Sequence, residues 1–467
     1  MTTALYAVLG SIALLLILIL IFRVHAFIAL LLASLAVGLF SGMDLLEIAK
    51  GVEDGMAGAL GFIAAVIGLG AIFGEILQAS GGAESVARTL LKSFGEKRAS
   101  WAMMLAGFLI SIPVFLDVGL VILIPIVYTL ARDTGKSLLF YGIPLLAGMA
   151  VTHACVPPTP GPIAVSTLFA NELGVPAPLG LIALYGVIVG LPTAFIAGPL
   201  FGGWISRKIH LEVPAHAIDH EGDLDPETQS LPPFALLLGI ILLPLVLMLT
   251  GSLTSTWLSG QEEGVLSANA LQRIEIVIFI GHPIVALLIT TLVTWVALGL
   301  MRGFSGQQLM DISARALGPA GLIILVTGAG GVFKQMLGQS GAAQDLAEAL
   351  LGDSEGLFLL LVVAYALTAL VRLIQGSATV AMLTGGALIA SVLSALSETP
   401  TASDLALLTL AIAFGATIFS HVNDSGFWLV SRYFGMSEKQ TLASWSIMET
   451  IISVVGFLLV LVLAMVV

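Results

Sequence analysis

The chain lacks most of what a water-facing protein of its length needs. Only 10% of its 467 residues are charged, whereas 58% are hydrophobic. Mean hydropathy is +1.09. So little charge cannot cover a surface in water, so the outer surface is expected to face lipid. A single cysteine, Cys155, rules out an intrachain disulfide, and there is no CxxC pair or zinc-type spacing to support redox chemistry or a structural metal. The sequence has no phosphate-cradling loop of the pump type, no HExxH and no GxSxG, which argues against a primary pump and against an intramembrane hydrolase. No basic patch points to nucleic acid. The formal net charge of −12 comes largely from two acidic stretches, 212–227 and 262–263.

Long apolar runs dominate what remains. A spanning helix needs about 20 mostly apolar residues. The runs at 3–22, 26–42, 59–79, 101–131, 177–206, 233–250, 274–301, 318–338, 356–396 and 443–466 qualify. Two more, 138–172 and 404–434, are interrupted by polar or proline-rich centres. The fold class expected is an all-α polytopic membrane protein with about 10–14 membrane segments. The first run carries no basic residues ahead of it and is long enough to span, so it reads as a retained helix and not a cleaved signal. Short amphipathic pieces at 44–58, 83–94, 304–317 and 341–351 read as interfacial connectors. The polar stretch 207–232 splits the chain. Its histidines, His210, His216 and His220, are too irregularly spaced to call a metal site. The domain reading is therefore a first membrane repeat over 1–206, a linker over 207–232 and a second repeat over 233–467. With the N-terminus outside, Arg23, Lys92, Lys97, Arg98, Arg207, Lys208 and Arg302 would all face the cytoplasm, while Arg132 and Lys136 break this pattern and the sequence leaves the orientation open.

The two halves resemble each other at an offset of 260 residues. Between 68–91 and 328–351 ten of 24 positions are identical, among them Gly68/Gly328, Gly70/Gly330, Phe73/Phe333, Ser80/Ser340 and Gly81/Gly341. On the charge reading the halves run oppositely through the bilayer. Inverted repeats with broken, re-entrant helices are a transporter architecture, and they place the site at the midplane where the interruptions meet.

Three interruptions carry the chemistry, because irregular backbone at membrane depth is tolerated only inside protein or against a cavity. In the first, His153 to Pro162, four prolines within six residues open the chain around Thr159 and Gly161. The second holds His421, Asn423 and Asp424, polar groups suited to hydroxyls or a proton. The third holds Arg372, Gln375, Gly376 and Ser377. Arg372 fits either a substrate carboxylate or a structural pair with an acid such as Asp424. Its first-half counterpart, Pro113 to Asp117, places a carboxyl between apolar runs, where a buried Asp117 would be poised to exchange protons. Ser80 and Ser340 either cap a following helix at an anion-attracting N-terminus or simply end the repeated helices. His282, before Pro283, reads as structural.

The segments THACVPPTPGP (152–162), RLIQGSATVA (372–381), SHVNDSGFW (420–428) and SIPVFLDVG (111–119) resemble the gluconate permease family of bacterial symporters over essentially the whole chain. The resemblance implies proton-coupled uptake of gluconate or a related acid, glycerate and D-serine included, in the bacterial inner membrane, on the inverted-repeat fold of the ion transporter superfamily. It calls for no cofactor. Combined with the motifs, it implies a carboxylate met by helix N-termini and Arg372, and hydroxyls met by Thr159, Gly161, Gln375, Gly376, Ser377 and Asn423, with Ser80 and Ser340 nearby. The proton would ride on Asp117, Asp424, His153 or His421. A sodium-coupled carrier, a channel and an intramembrane enzyme remain rivals at this point, and a homo-oligomer is open.

Overall fold

The structure, a computed structural model, describes residues 3–214, 231–259, 267–340, 356–396, 399–422 and 424–467. Every regular element among the described residues is helical. The first half consists of α1 (Thr3–Leu20), α2 (Ala26–Phe40), α3 (Leu45–Ala79), α4 (Gly82–Phe94), α5 (Ala99–Ile110), α6 (Leu116–Thr134), α7 (Leu139–Cys155), α8 (Pro160–Leu173) and α9 (Leu179–Lys208). The second consists of α10 (Phe234–Ser259), α11 (Ala268–Gly281), α12 (Pro283–Arg302), α13 (Gly306–Gln339), α14 (Leu357–Gln375), α15 (Ala378–Leu393), α16 (Ala402–Gly415), α17 (Ser425–Phe434) and α18 (Glu438–Leu463). Among the described residues eight helical spans are long and apolar enough to cross a membrane, α7 and α8 together forming one of them, and four shorter apolar helices accompany them. This is a multi-pass membrane protein.

The order of elements repeats. A long helix (α3, α13) leads to a helix pair broken at its centre (α5/α6, α14/α15) and then to a second broken pair (α7/α8, α16/α17). A final long helix closes each half, and each contains a π-turn, at Ile196–Leu200 in α9 and Leu442–Ser446 in α18.

Two expected connectors are absent as separate elements. The amphipathic stretches 44–58 and 304–317 are the first turns of α3 and α13, continuous 35- and 34-residue helices. Nothing in either stretch breaks a helix, and each begins at a good cap, Asp44 accepting from the Leu46 amide and Ser305 forming a capping box with Gln308. The apolar run 101–131, expected as one crossing, breaks at 111–115, where Pro113 cannot continue the helix. The run 274–301 breaks at His282, which lies between α11 and α12. The amphipathic piece 83–94 is the connector α4; 341–351 lies outside the described residues, as do His216, His220 and the core of the linker.

Helices α3 and α13 pack against each other in opposite directions through small residues. A Cβ at Gly51 would meet Met336 and Gln339, one at Gly55 would meet Val332, and one at Gly331 would meet Ala59. The contact has a two-fold character. Gly68 faces Leu317, while its repeat mate Gly328 faces Met56 and Leu60, which flank the residue 260 positions before Leu317. Glycine at these positions lets two backbones approach, the usual basis of helix association in lipid. The broken pairs use the same device. Gly107 sits against the Leu145 carbonyl and Gly148 against that of Met104, joining α5 to α7, and Gly415 sits against the Tyr365 carbonyl, joining α16 to α14.

Candidate functional site

In the first half the two breaks meet. Ile112 to Phe115, between α5 and α6, line one pocket with Gly70 of α3, His153 of α7 and Pro158 to Pro160 ahead of α8. Gly74 faces the Pro113 carbonyl, so only a residue without a side chain lets α3 pass this close to the break. The α7/α8 span is encased in protein: 89% of its most apolar window is buried, against 39% for α3. A chain opened by prolines is acceptable there because its free backbone groups never meet lipid.

The side chains of this cluster are largely committed to each other. Thr159 is buried and donates its hydroxyl hydrogen to the Val156 carbonyl at 2.7 Å. Pro160 and Pro162, in the first turn of α8, have no amide to offer, which leaves Gly161 as the amide donor between them. His153 stacks edge-on against Phe115, with ring centroids 6.1 Å apart, and its Nδ1 is buried with no partner among the described residues. Asp117 lies within electrostatic range of His153 but is exposed in the first turn of α6. The expectation that Asp117 is buried is corrected: α6 restarts after the break at Pro113 with Gly119 and Leu120 towards the core and Asp117 on the exposed side.

In the second half the breaks are joined directly. α14 ends at Gln375, and Gly376 follows with φ 86°, a left-handed conformation that glycine adopts without strain. Arg372 in the last turn of α14 is 3% exposed. Its Nη1 donates to the Gly376 carbonyl, and its Nη2 donates to Asp424 Oδ2 at 2.5 Å. Its Nε is buried with no acceptor among the described residues. Asp424 caps α17 by accepting from the Gly426 amide at 3.0 Å, and it also accepts from the Ser420 hydroxyl. His421 is bonded through Nε2 to the Leu373 carbonyl at 2.9 Å, a second tie between the breaks. The Ser377 hydroxyl accepts from the Val380 amide and caps α15. Gln375 is buried, and its Oε1 has no partner among the described residues. Asn423 lies outside the described residues.

The two clusters meet through α8 and α15, which run in the same direction. Gly161 of α8 abuts Met382 of α15, and further along Gly386 abuts Val165 and Leu168. The N-terminus of α8 therefore lies about one helical turn, ~6 Å along the axis, from that of α15. Both N-termini carry the partial positive charge of unpaired amides towards the same end of the pair.

Ser80 and Ser340 end the two repeated helices in the same way. Each donates back to its own helix, to the Leu77 and Leu337 carbonyls at 2.8 Å. α4 begins at Gly81 with no side-chain cap, so the capping alternative fails for Ser80 and the helix-ending one stands. Lys334 pairs with Glu172 of α8.

Residue-by-residue reading of the sequence passed over Ser420, Trp445, Ser446 and Glu449. Ser420 receives the indole N–H of Trp445 at 2.7 Å, and its carbonyl accepts from the Ser446 hydroxyl. α18 is thereby fastened to the Asp424 break. Glu449, one turn further along α18, is 4% exposed and within electrostatic range of Arg372 and Asp424. The signal was present, since Glu449 is an acid inside the apolar run 443–466, the same criterion that singled out Asp117.

Comparison with known proteins agrees with this architecture. The GntP family permease profile matches residues 3–466. A gluconate permease of Pseudomonas aeruginosa is 41% identical over 95% of this chain and 94% of its own length. A low-affinity gluconate transporter of Escherichia coli is 41% identical over 96% and 95%. An L-idonate transporter of Escherichia coli is 34% identical over 97% of each. Among solved structures, a transporter of Alcanivorax borkumensis described as having an unusual topology superposes with a TM-score of 0.61 at 16% identity, covering 90% of this chain and 89% of that one. It shares the fold. This chain belongs to the GntP permease family.

Proposed function

We propose that the protein is a secondary active symporter that takes up gluconate, or a closely related sugar or hydroxy acid, together with protons across the bacterial inner membrane. The observation that carries the reading is Arg372: a guanidinium buried in a membrane span, placed at the junction of two helix breaks, with its Nε unengaged by any described residue. A charge so placed is costly unless it pairs or works. Asp424 takes one edge of it, and the free edge suits a substrate carboxylate. Gln375 and Ser377 sit beside it in the chain with amide and hydroxyl groups for the polyol end, and Asn423, the sequence neighbour of Asp424, is the further candidate. The amides opening α15 add a favourable field for the anion. On the first-half side the contribution comes from the Gly161 amide and the backbone around Thr159, because the Thr159 hydroxyl hydrogen is already engaged.

The division into a first repeat over 1–206, a linker over 207–232 and a second repeat over 233–467, inverted relative to each other, is part of the same proposal. Its support is the repeated element order and the opposed packing of α3 against α13 about Gly68 and Gly328. Alternating access would then rock one broken-helix group against the other around a fixed site. The substrate class is supported by relatives named for gluconate and L-idonate. Counterflow in proteoliposomes, with gluconate loaded inside and labelled gluconate outside, tests the substrate. Gluconate and idonate are expected to exchange, with glycerate and D-serine as competitors of lower rank. No exchange of any of these acids overturns the assignment. Accumulation driven by an imposed pH gradient without sodium, abolished by a protonophore, tests the coupling. Accumulation that requires sodium instead establishes the sodium-coupled rival.

A further inference from the structure

Resting on the proton-coupled reading above, we propose that Glu449 of α18 is the residue that carries the transported proton. It sits in the helix opposite the Arg372–Asp424 pair. Trp445 and Ser446, four and three residues before it, share its helix face and are hydrogen-bonded to Ser420, whose hydroxyl reaches Asp424. Glu449 is 4% exposed and feels the charges of both Arg372 and Asp424. One turn further on, Ser453 contacts the Tyr365 hydroxyl of α14 at 2.9 Å, so α14 and α18 face each other along this stretch.

Two acids and one guanidinium share the buried space, so the ionised cluster holds one negative charge too many. A charge uncompensated in an apolar interior costs several kcal/mol. The surrounding elements supply little else to balance it. α14 brings Arg372 and Tyr365, and the segment before α17 brings Asp424 and His421, the latter bonded through Nε2 to the Leu373 carbonyl. α9 brings Tyr185, bonded to Ser403, and α7 brings His153 and Tyr141, which face Asp117 and Thr134. Asp404 of α16 is engaged in its own capping box.

A substrate carboxylate arriving at the free edge of Arg372 adds a further negative charge beside Glu449. Anion and proton therefore favour each other's binding, and the linkage is reciprocal. One proton from the outer side bonds to a Glu449 carboxylate oxygen as one anion binds Arg372. On the inner side the anion leaves and the O–H bond releases the proton to water, which restores the cluster.

The experiment uses the full-length protein in proteoliposomes and compares Glu449→Gln and Glu449→Asp with the unaltered chain, gluconate being the probe. Glu449→Gln mimics the protonated form. It is expected to retain counterflow and to lose accumulation driven by a pH gradient, which supports about tenfold accumulation per coupled proton for each pH unit. Its affinity for gluconate is expected to be flat with pH, and Glu449→Asp is expected to restore gradient-driven uptake. Unchanged pH-driven accumulation in Glu449→Gln overturns the proposal. So does a joint loss of counterflow and accumulation in both variants, because Glu449 then serves binding or folding. If the unaltered protein ignores the pH gradient while it exchanges gluconate, the proton-coupled reading itself has failed.

Discussion

The charge cluster at the junction of α14, α17 and α18 makes an asymmetric prediction about stability. Removing its acids and removing its base should not cost the same. In Asp424→Asn/Glu449→Gln the guanidinium of Arg372 keeps the Gly376 carbonyl but loses both counter-charges, at 3% exposure. A guanidinium cannot shed its proton inside a protein. The expected loss is the one measured when a buried ion pair is broken, about 3–5 kcal/mol, a large part of a marginal stability of about 5–15 kcal/mol. In Arg372→Met the stranded carboxyls escape by taking up protons. That loss should be nearer the cost of an unsatisfied buried polar group, about 1–3 kcal/mol. Both variants are expected to lose gluconate transport. The assay is reversible unfolding of the purified protein in detergent, read as a set so that couplings among the three neighbours are visible. Equal losses in the two variants, or a double-acid variant within about 0.5 kcal/mol of the parent as for an ordinary surface change, would refute the reasoning.

Other expectations follow from single contacts. Gly74→Val should abolish transport and destabilise by about 1–3 kcal/mol or more through overpacking, because even a Cβ would overlap the Pro113 carbonyl; unfolding and uptake together check this. Tyr128→Phe removes the hydrogen bond from α6 to the Tyr433 carbonyl of α17, at 2.5 Å, and should cost about 1 kcal/mol, with a matching fall in the unfolding midpoint. Cys155 is buried and bonded through its thiol to the Val151 carbonyl, so the native protein should resist maleimide labelling and react only after unfolding.

The fold was legible in the sequence where composition left a single physical option. Proline and glycine inside apolar runs forecast the breaks at Pro157 to Pro160 and at Gly376, because each residue removes a donor or ends a helix whatever surrounds it, whereas the break at Pro113 lay in a run read as one crossing. The Ser80/Ser340 register pointed to the like endings of α3 and α13. Helix length was less so. The polar first turns of α3 and α13 read as interfacial pieces, since hydropathy alone cannot tell a turn facing water from one continuing a span. The Arg372–Asp424 pair was legible as an alternative, because a buried guanidinium needs an anion and the sequence offers few. Burial of Asp117 was misjudged because apolar flanks do not say which way a helix turn faces after a proline break. Ser420 and Trp445 were invisible individually: a serine and a tryptophan in apolar stretches carry no signal until the break folds back on α18.

The most direct test of the account is a cryo-EM structure of the protein with gluconate bound. The account predicts the carboxylate on the free edge of Arg372, at the opening of α15 beside Gln375 and Ser377, with the polyol directed towards the first-half break at Thr159–Gly161. Gluconate bound away from Arg372, with the Arg372–Asp424 pair untouched and its guanidinium remote from the ligand, would contradict it.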